Sequence, residues 1–389
     1  MHVDIVAGTL LVVWPGDQPV EFPLPPGMAE ASAGAFRVID YDLARDRLVF
    51  TLVNGVDAVV ELGRAEDPLA GRAVVYLDQN HWSAVAAARQ GHRPADRDPA
   101  RAASKARAAA RLAEMVEAEE IVLPLSGGHA VESVPLSGDW RVLHVATMLE
   151  LSRGWQILQP ARVRAEELRA ALHGGTPAVP GIATLGADVL FANRLGEVDG
   201  SDLPGVMGAL LPRLVNVSSI YAALLDPEPV DPGDGPAALK RWADVFAQLA
   251  AWMKDEQLSR EQALRTVHGV VMVDFAEELA AMASRARLEG WLPRSFDDVS
   301  ALPFVSRYRA VMFARMRNGS TWRHGDFVDI NYLCCAAAYA DVVVGESRTI
   351  ADLATARGLP PGAQLARTLE EAVEILEARR HPPIDAYPI

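Results

Sequence analysis

Asp78, Glu132, Asp326, Asp329 and Glu346 stand where a chain would put carboxylates to do chemistry. Asp78 directly follows the apolar run Val74-Val75-Tyr76-Leu77, and Glu346 follows Asp341-Val342-Val343-Val344-Gly345. Glu132 comes just after Ile121-Val122-Leu123-Pro124 and the Ser126-Gly127-Gly128 break. Asp326 and Asp329 are three residues apart at the start of a small-residue helix pattern, a spacing that puts both on one face. A buried strand that delivers a carboxylate at its C-terminal tip is how open α/β sheets build polar sites. Several carboxylates at one such edge repel each other unless a divalent cation sits between them. The pattern points to phosphodiester hydrolysis with Mg²⁺ or Mn²⁺ held by carboxylates alone.

Each acid also has a plainer role available. Asp78 could cap the helix that follows it. Glu132, Asp326 and Asp329 could be ordinary acids in the first turn of a helix, favoured there by the helix dipole. Asn80, His129, Arg323 and Ser347, neighbours of the acids in sequence, are the expected substrate contacts. His129 is read as touching a phosphate or capping, not as a metal ligand, because hard cations prefer oxygen.

Those residues need elements to position them. Residues 1–65 read as β, with Asn54-Gly55 between two alternating runs as a hairpin signal. From about 73 the pattern turns to strand–helix alternation: a strand to 77, helices over 82–90 and 99–118, a strand at 121–124, and a helix from about 129. A short strand at 156–158 precedes a helix over 161–172. Residues 175–320 are mostly helical, with helices near 204–225, 237–254, 260–288 and 303–317 and a Pro/Gly loop at 226–236. A helix over 327–339, a strand at 341–344 and a final helix over 367–376 restore the α/β pattern.

Composition limits the function classes. The chain has 389 residues, half of them hydrophobic, which is ample for a core. Its two cysteines, Cys334 and Cys335, are adjacent inside an apolar helix pattern, so no disulfide framework is implied and a reducing compartment fits. No basic-then-apolar leader opens the sequence and no apolar run is long enough to span a bilayer, so a cytoplasmic protein with no membrane partner is expected. The net charge of −14 argues against a strongly basic nucleic-acid binder. Two basic patches qualify that reading. The run from Arg93 to Arg111 reads as a solvated helix face, whereas Arg307, Arg309, Arg315, Arg317, Arg323 and His324 lead into Asp326 and suit phosphate contact. There is no P-loop, no His-Glu-x-x-His and no Cys-x-x-Cys.

Taken in order, the motifs resemble those of the PIN-like nucleases. Val75-Tyr76-Leu77-Asp78-Gln79-Asn80 resembles the family's first strand and acid, and Glu132 its second acid. Asp329, opening Ile330-Asn331-Tyr332-Leu333-Cys334-Cys335-Ala336, resembles its third, at the family's spacing from Gly345. Two positions depart: Gly345 stands where the family has Thr, and Ser347 where a fourth acid falls, with Glu346 one place early. The resemblance covers about 73–160 and 320–376.

It implies an α/β/α sandwich with a mostly parallel sheet, built from residues 71–170 and 321–389, interrupted by a helical insertion at 171–320 and preceded by a small antiparallel β module at 1–70. It implies metal ligation by Asp78, Glu132 and Asp329, with Asp326 as direct or outer ligand, and catalytic use of Glu346. The implied reaction is endonucleolytic attack by water that leaves a 5′-phosphate, on RNA as the expected substrate. Two other readings fit the same residues. One is a catalytically degenerate scaffold that binds a protein partner through the β module. The other is a metal-dependent phosphohydrolase of small nucleotides, to which an acidic surface is suited.

Overall fold

A computed structural model describes residues 2–12, 18–23, 36–42, 47–53, 55, 57–61, 69–92, 97–133, 136–172, 179, 181–185, 224, 235–271, 300–318, 322 and 325–380. Apart from Leu224, the helix expected over 204–225 lies outside them, as do Arg323, His324 and most of the 226–236 loop. The described residues form a mixed α/β protein with parallel strand pairs. Among them no helix is long and apolar enough to cross a membrane. The chain divides into two compact units, each drawn from two stretches: Met1–Ile157 with Ala183–Val230, and Leu158–Ile182 with Asp231–Ile389.

The first unit opens with a six-stranded antiparallel sheet in the order β3-β2-β1-β4-β5-β6. Its strands are β1 His2–Asp4, β2 Thr9–Val12, β3 Val20–Pro23, β4 Phe36–Asp42, β5 Arg47–Leu52 and β6 Asp57–Glu61. Alternation drives it: Leu48, Phe50 and Leu52 of β5 are buried while the residues between them are half-buried. The β5–β6 hairpin pairs Thr51 with Asp57. Its turn uses Gly55 at φ +83°, a left-handed conformation that glycine adopts without a Cβ penalty.

Glu61, at the end of β6, ties this sheet to Arg72, Arg153 and Trp155. Its carboxylate accepts hydrogen bonds from Arg72 at 2.9 and 3.2 Å and from the Trp155 indole at 3.2 Å, and Arg153 stands 3.5 Å away. Burial alone would raise its pKa, but these cations and donors outweigh burial and hold it below the ordinary carboxylate value.

Next come β7 Ala73–Leu77 and β8 Ile121–Val122, paired in parallel with Ala73 opposite Ile121. The crossover that a parallel pair requires is made by helices Gln79–Arg89 and Pro99–Glu117. Val74 through Leu77 are all buried, so the uninterrupted apolar run reads as an internal strand. Helices Gly127–Ser133 and Gly138–Ser152 follow, and β9 Gln156–Ile157 pairs antiparallel with β10 Ala183–Thr184.

The second unit contains helices Pro160–Leu172, Gly235–Asp255, 260–271, Pro303–Arg317 and Asp326–Tyr339. It closes with β11 Val342–Val344, helix Ser347–Thr355, β12 Gln364–Ala366 and helix Leu369–Arg380, β11 and β12 running parallel with Val343 opposite Leu365. β12 and the Ser347–Thr355 helix are additional to the elements read from sequence; at three residues, β12 is too short for alternation to stand out. Cys334 and Cys335 are buried and unbridged, and burial pushes both thiols up, so they stay protonated.

Glu167 holds this unit together from inside. Its fully buried carboxylate accepts the backbone N–H groups of Phe304 at 2.6 Å and Val305 at 3.0 Å, orphan donors at the start of the Pro303–Arg317 helix. The Tyr339 hydroxyl donates to it at 2.5 Å. Burial raises the Glu167 pKa, and these donors together with the charge of Arg307 pull against that rise.

Candidate acidic sites

In the first unit, Asp78 is the first residue after β7 and is half-buried. It N-caps the Gln79–Arg89 helix: its backbone is extended, and Oδ1 accepts the His81 N–H at 3.1 Å. The capping role is therefore real, and a carboxylate's two oxygens together offer about four acceptor positions. Asn80 is exposed in the first turn of the same helix.

Glu132 lies half-buried on the Gly127–Ser133 helix. Two cross-links hold that helix against the tip of β7. His129 Nε2 donates to the Leu77 carbonyl at 2.8 Å, and Gln79 Nε2 donates to Ser133 Oγ at 3.3 Å. The residues on either side of Asp78 are thus bonded to His129 and Ser133 of the helix that carries Glu132.

His129 does not reach outward as expected. It is buried, Nδ1 accepts the Ser126 N–H at 3.0 Å and Nε2 is engaged by Leu77, so neither nitrogen is left for a phosphate. Burial pushes its pKa down to about 3, which keeps the ring neutral. Its ring stacks on Tyr76 at 5.3 Å, and it serves as a brace between strand tip and helix. His144, also buried and pushed down to about 4 by burial, accepts from Gln79 Nε2 at 2.9 Å and steadies the residue next to Asp78.

In the second unit, Asp326 and Asp329 occupy the first turn of the Asp326–Tyr339 helix and are half-buried. Glu346 and Ser347 are exposed after β11, where Ser347 opens the Ser347–Thr355 helix. Asp326 and Glu346 share one partner, Arg315, whose side chain is 2% exposed. Its Nη1 lies 3.5 Å from Asp326 Oδ2, its Nη2 3.8 Å from Glu346 Oε2 and its Nε 3.7 Å from Asp352 Oδ2. Nη2 also donates to Thr349 Oγ1 at 2.9 Å.

Sequence reasoning placed Arg315 in a basic run facing phosphate; the structure corrects this. Arg307, Arg309 and Arg315 are buried, and Arg307 donates to the carbonyls of Pro303 and Pro360 at 2.8 and 2.7 Å. The available signal was phase: Arg315 falls with Val311 and Met312 on the buried side of its helix, where a cation needs a partner. Asp352 and Glu167 were missed because neither lies beside a motif.

Gly345 has a packing reason. A Cβ there would stand 2.7 Å from Leu333 Cδ2 and 3.2 Å from Ile350 Cδ1, so a Thr at this position would need its neighbours to move. Among the described residues, no group of three His, Cys, Asp or Glu side chains is gathered closely enough to hold a metal ion. Compared with models of protein families, with curated proteins and with solved structures, the chain matches none.

Proposed function

We propose that this chain hydrolyses phosphodiester bonds, with RNA as substrate, as its resemblance to the PIN-like nucleases implies. The observation that supports the reading is the pair of cross-links in the first unit, Leu77 to His129 and Gln79 to Ser133, which tie the helix that carries Glu132 to the residues on either side of Asp78, the first residue after a parallel strand. Such a tip is where open α/β sheets place polar chemistry.

Residue by residue, the acids differ in how they suit a divalent cation. Asp78 and Glu132 suit it: Mg²⁺ is commonly held by one or two carboxylates together with waters and substrate phosphates, without a protein cage. Asp326 and Glu346 do not suit it, because the Arg315 guanidinium lies against them. When bound, the cation supplies charge for the phosphorane-like transition state and lowers the pKa of its water. The chain's part is to hold Asp78 still. The cap bond to His81 fixes its rotamer, and the His129 and Gln79 ties fix the backbone around it.

A second reading, a catalytically degenerate scaffold that binds a protein partner, is favoured by one observation. Arg315 neutralises acids that a nuclease would keep open. Purified protein incubated with labelled single-stranded RNA and DNA, in Mn²⁺, Mg²⁺ or EDTA, decides between them. Metal-dependent cleavage lost in Asp78→Asn supports the first; a folded protein that cleaves neither polymer supports the second.

A further inference from the structure

We propose that Arg315 is a built-in counter-cation, and that Asp326, Glu346 and Asp352 are held by this guanidinium and take no divalent metal. The burial comes first. A guanidinium stays charged at every accessible pH, and a buried charge is tolerated only when paired. Its carboxylate partners come from three separate places: Asp326 opens one helix, Glu346 follows β11, and Asp352 lies on the Ser347–Thr355 helix. Thr349 adds a hydrogen bond from the same helix as Asp352. One side chain from the Pro303–Arg317 helix thereby fixes the start of Asp326–Tyr339 and the turn after β11.

With Arg315 in place, the acids are spaced for a guanidinium and not for a metal. A divalent cation draws oxygens to about 2.0–2.6 Å from one centre. Here Asp326, Glu346 and Asp352 face three different nitrogens of a planar group at 3.5, 3.8 and 3.7 Å. The space those oxygens enclose is filled by the arginine itself, and a second cation there would be repelled at close range. Asp352 Oδ2 and Arg315 Nε are both buried without a hydrogen bond, as expected of a pair held by charge more than by directed donation. Arg315 is a positioning residue, and the inference stands whether or not the chain cleaves nucleic acid.

The test reads cation binding, with Mn²⁺ alone as the probe, by calorimetric titration and by melting temperature. In the otherwise native chain, Asp326→Asn and Glu346→Gln are expected to leave Mn²⁺ affinity within twofold of its starting value. A tenfold or larger loss in either variant would overturn the proposal, and this arm does not depend on any Arg315 variant folding. In an Asp78→Asn background, which removes the ligand proposed for the first unit, Arg315→Met is expected to create a Mn²⁺-dependent rise in melting temperature that Asp352→Asn removes. Arg315→Lys keeps the charge and should show no such rise. A folded Arg315→Met protein as indifferent to Mn²⁺ as Arg315→Lys would also overturn the assignment.

Discussion

Asp78 carries two roles that different substitutions separate. Its Oδ1 accepts the His81 N–H at 3.1 Å, so the side chain caps the Gln79–Arg89 helix whatever else it does. Asparagine caps as well as aspartate, so Asp78→Asn should lose only the charge–dipole part, about 0.3–1 kcal/mol. Asp78→Ala removes the cap itself and should cost about 1–2 kcal/mol. Urea unfolding of the two variants measures this difference. Cleavage should follow charge and not stability, so both variants should fall by a factor of about 100 or more if the carboxylate stabilises the transition state. Asp78→Asn with wild-type cleavage would refute the catalytic role, because the cap alone would then account for the residue. Asp78→Ala as stable as Asp78→Asn would refute the capping energetics instead.

Glu61 should make the first unit acid-sensitive. Its folded pKa lies below the ordinary 4.5, so the stability it contributes is present above that value and is lost as pH falls through the depressed folded pKa. Denaturant titrations from pH 7 down to pH 3 should show this loss, and Glu61→Gln should flatten it while costing about 1.5–3 kcal/mol at neutral pH. Glu167→Ala strips acceptors from two buried N–H groups and the Tyr339 hydroxyl, and should destabilise by about 3–5 kcal/mol in chemical denaturation. Gly345→Thr should cost about 1–3 kcal/mol through overpacking against Leu333 and Ile350, read as a lowered melting temperature.

The parts of the molecule legible from sequence are those in which local pattern and burial agree. The run ending at Leu77 is readable because every residue of it is apolar, and Val74 through Leu77 are indeed buried. Helix limits at Pro99 and Pro303 follow from proline's tolerance at the first turn. The role of Asp78 is ambiguous in sequence because a cap and a ligand occupy the same strand-to-helix junction. The Ser126 bond of His129 is local, three residues away, but its bond to the Leu77 carbonyl, 52 residues back, is set by tertiary packing and leaves no local mark. Arg315 misleads when its charge is weighed above its helical phase. Glu167 is beyond local pattern altogether, its acceptor role being set by a helix start 137 residues onward.

The order of synthesis does not follow the division into units. Each unit is discontinuous: Leu158–Ile182 is synthesised before Ala183–Val230 completes the first unit, yet belongs to the second. Closing the 137-residue loop between Glu167 and Phe304 costs about 4 kcal/mol of chain entropy. At ordinary translation rates of about 5–20 residues per second, the Phe304 amide is made roughly 7–27 s after Glu167, given that 137-residue gap. During that interval Val163 and Leu168, fully buried in the finished unit, have no second-unit core to enter. The nascent helix Pro160–Leu172 therefore presents an apolar face to whatever meets the ribosome exit, and truncations that end before Pro303 should be captured there by chaperones far more than the full chain.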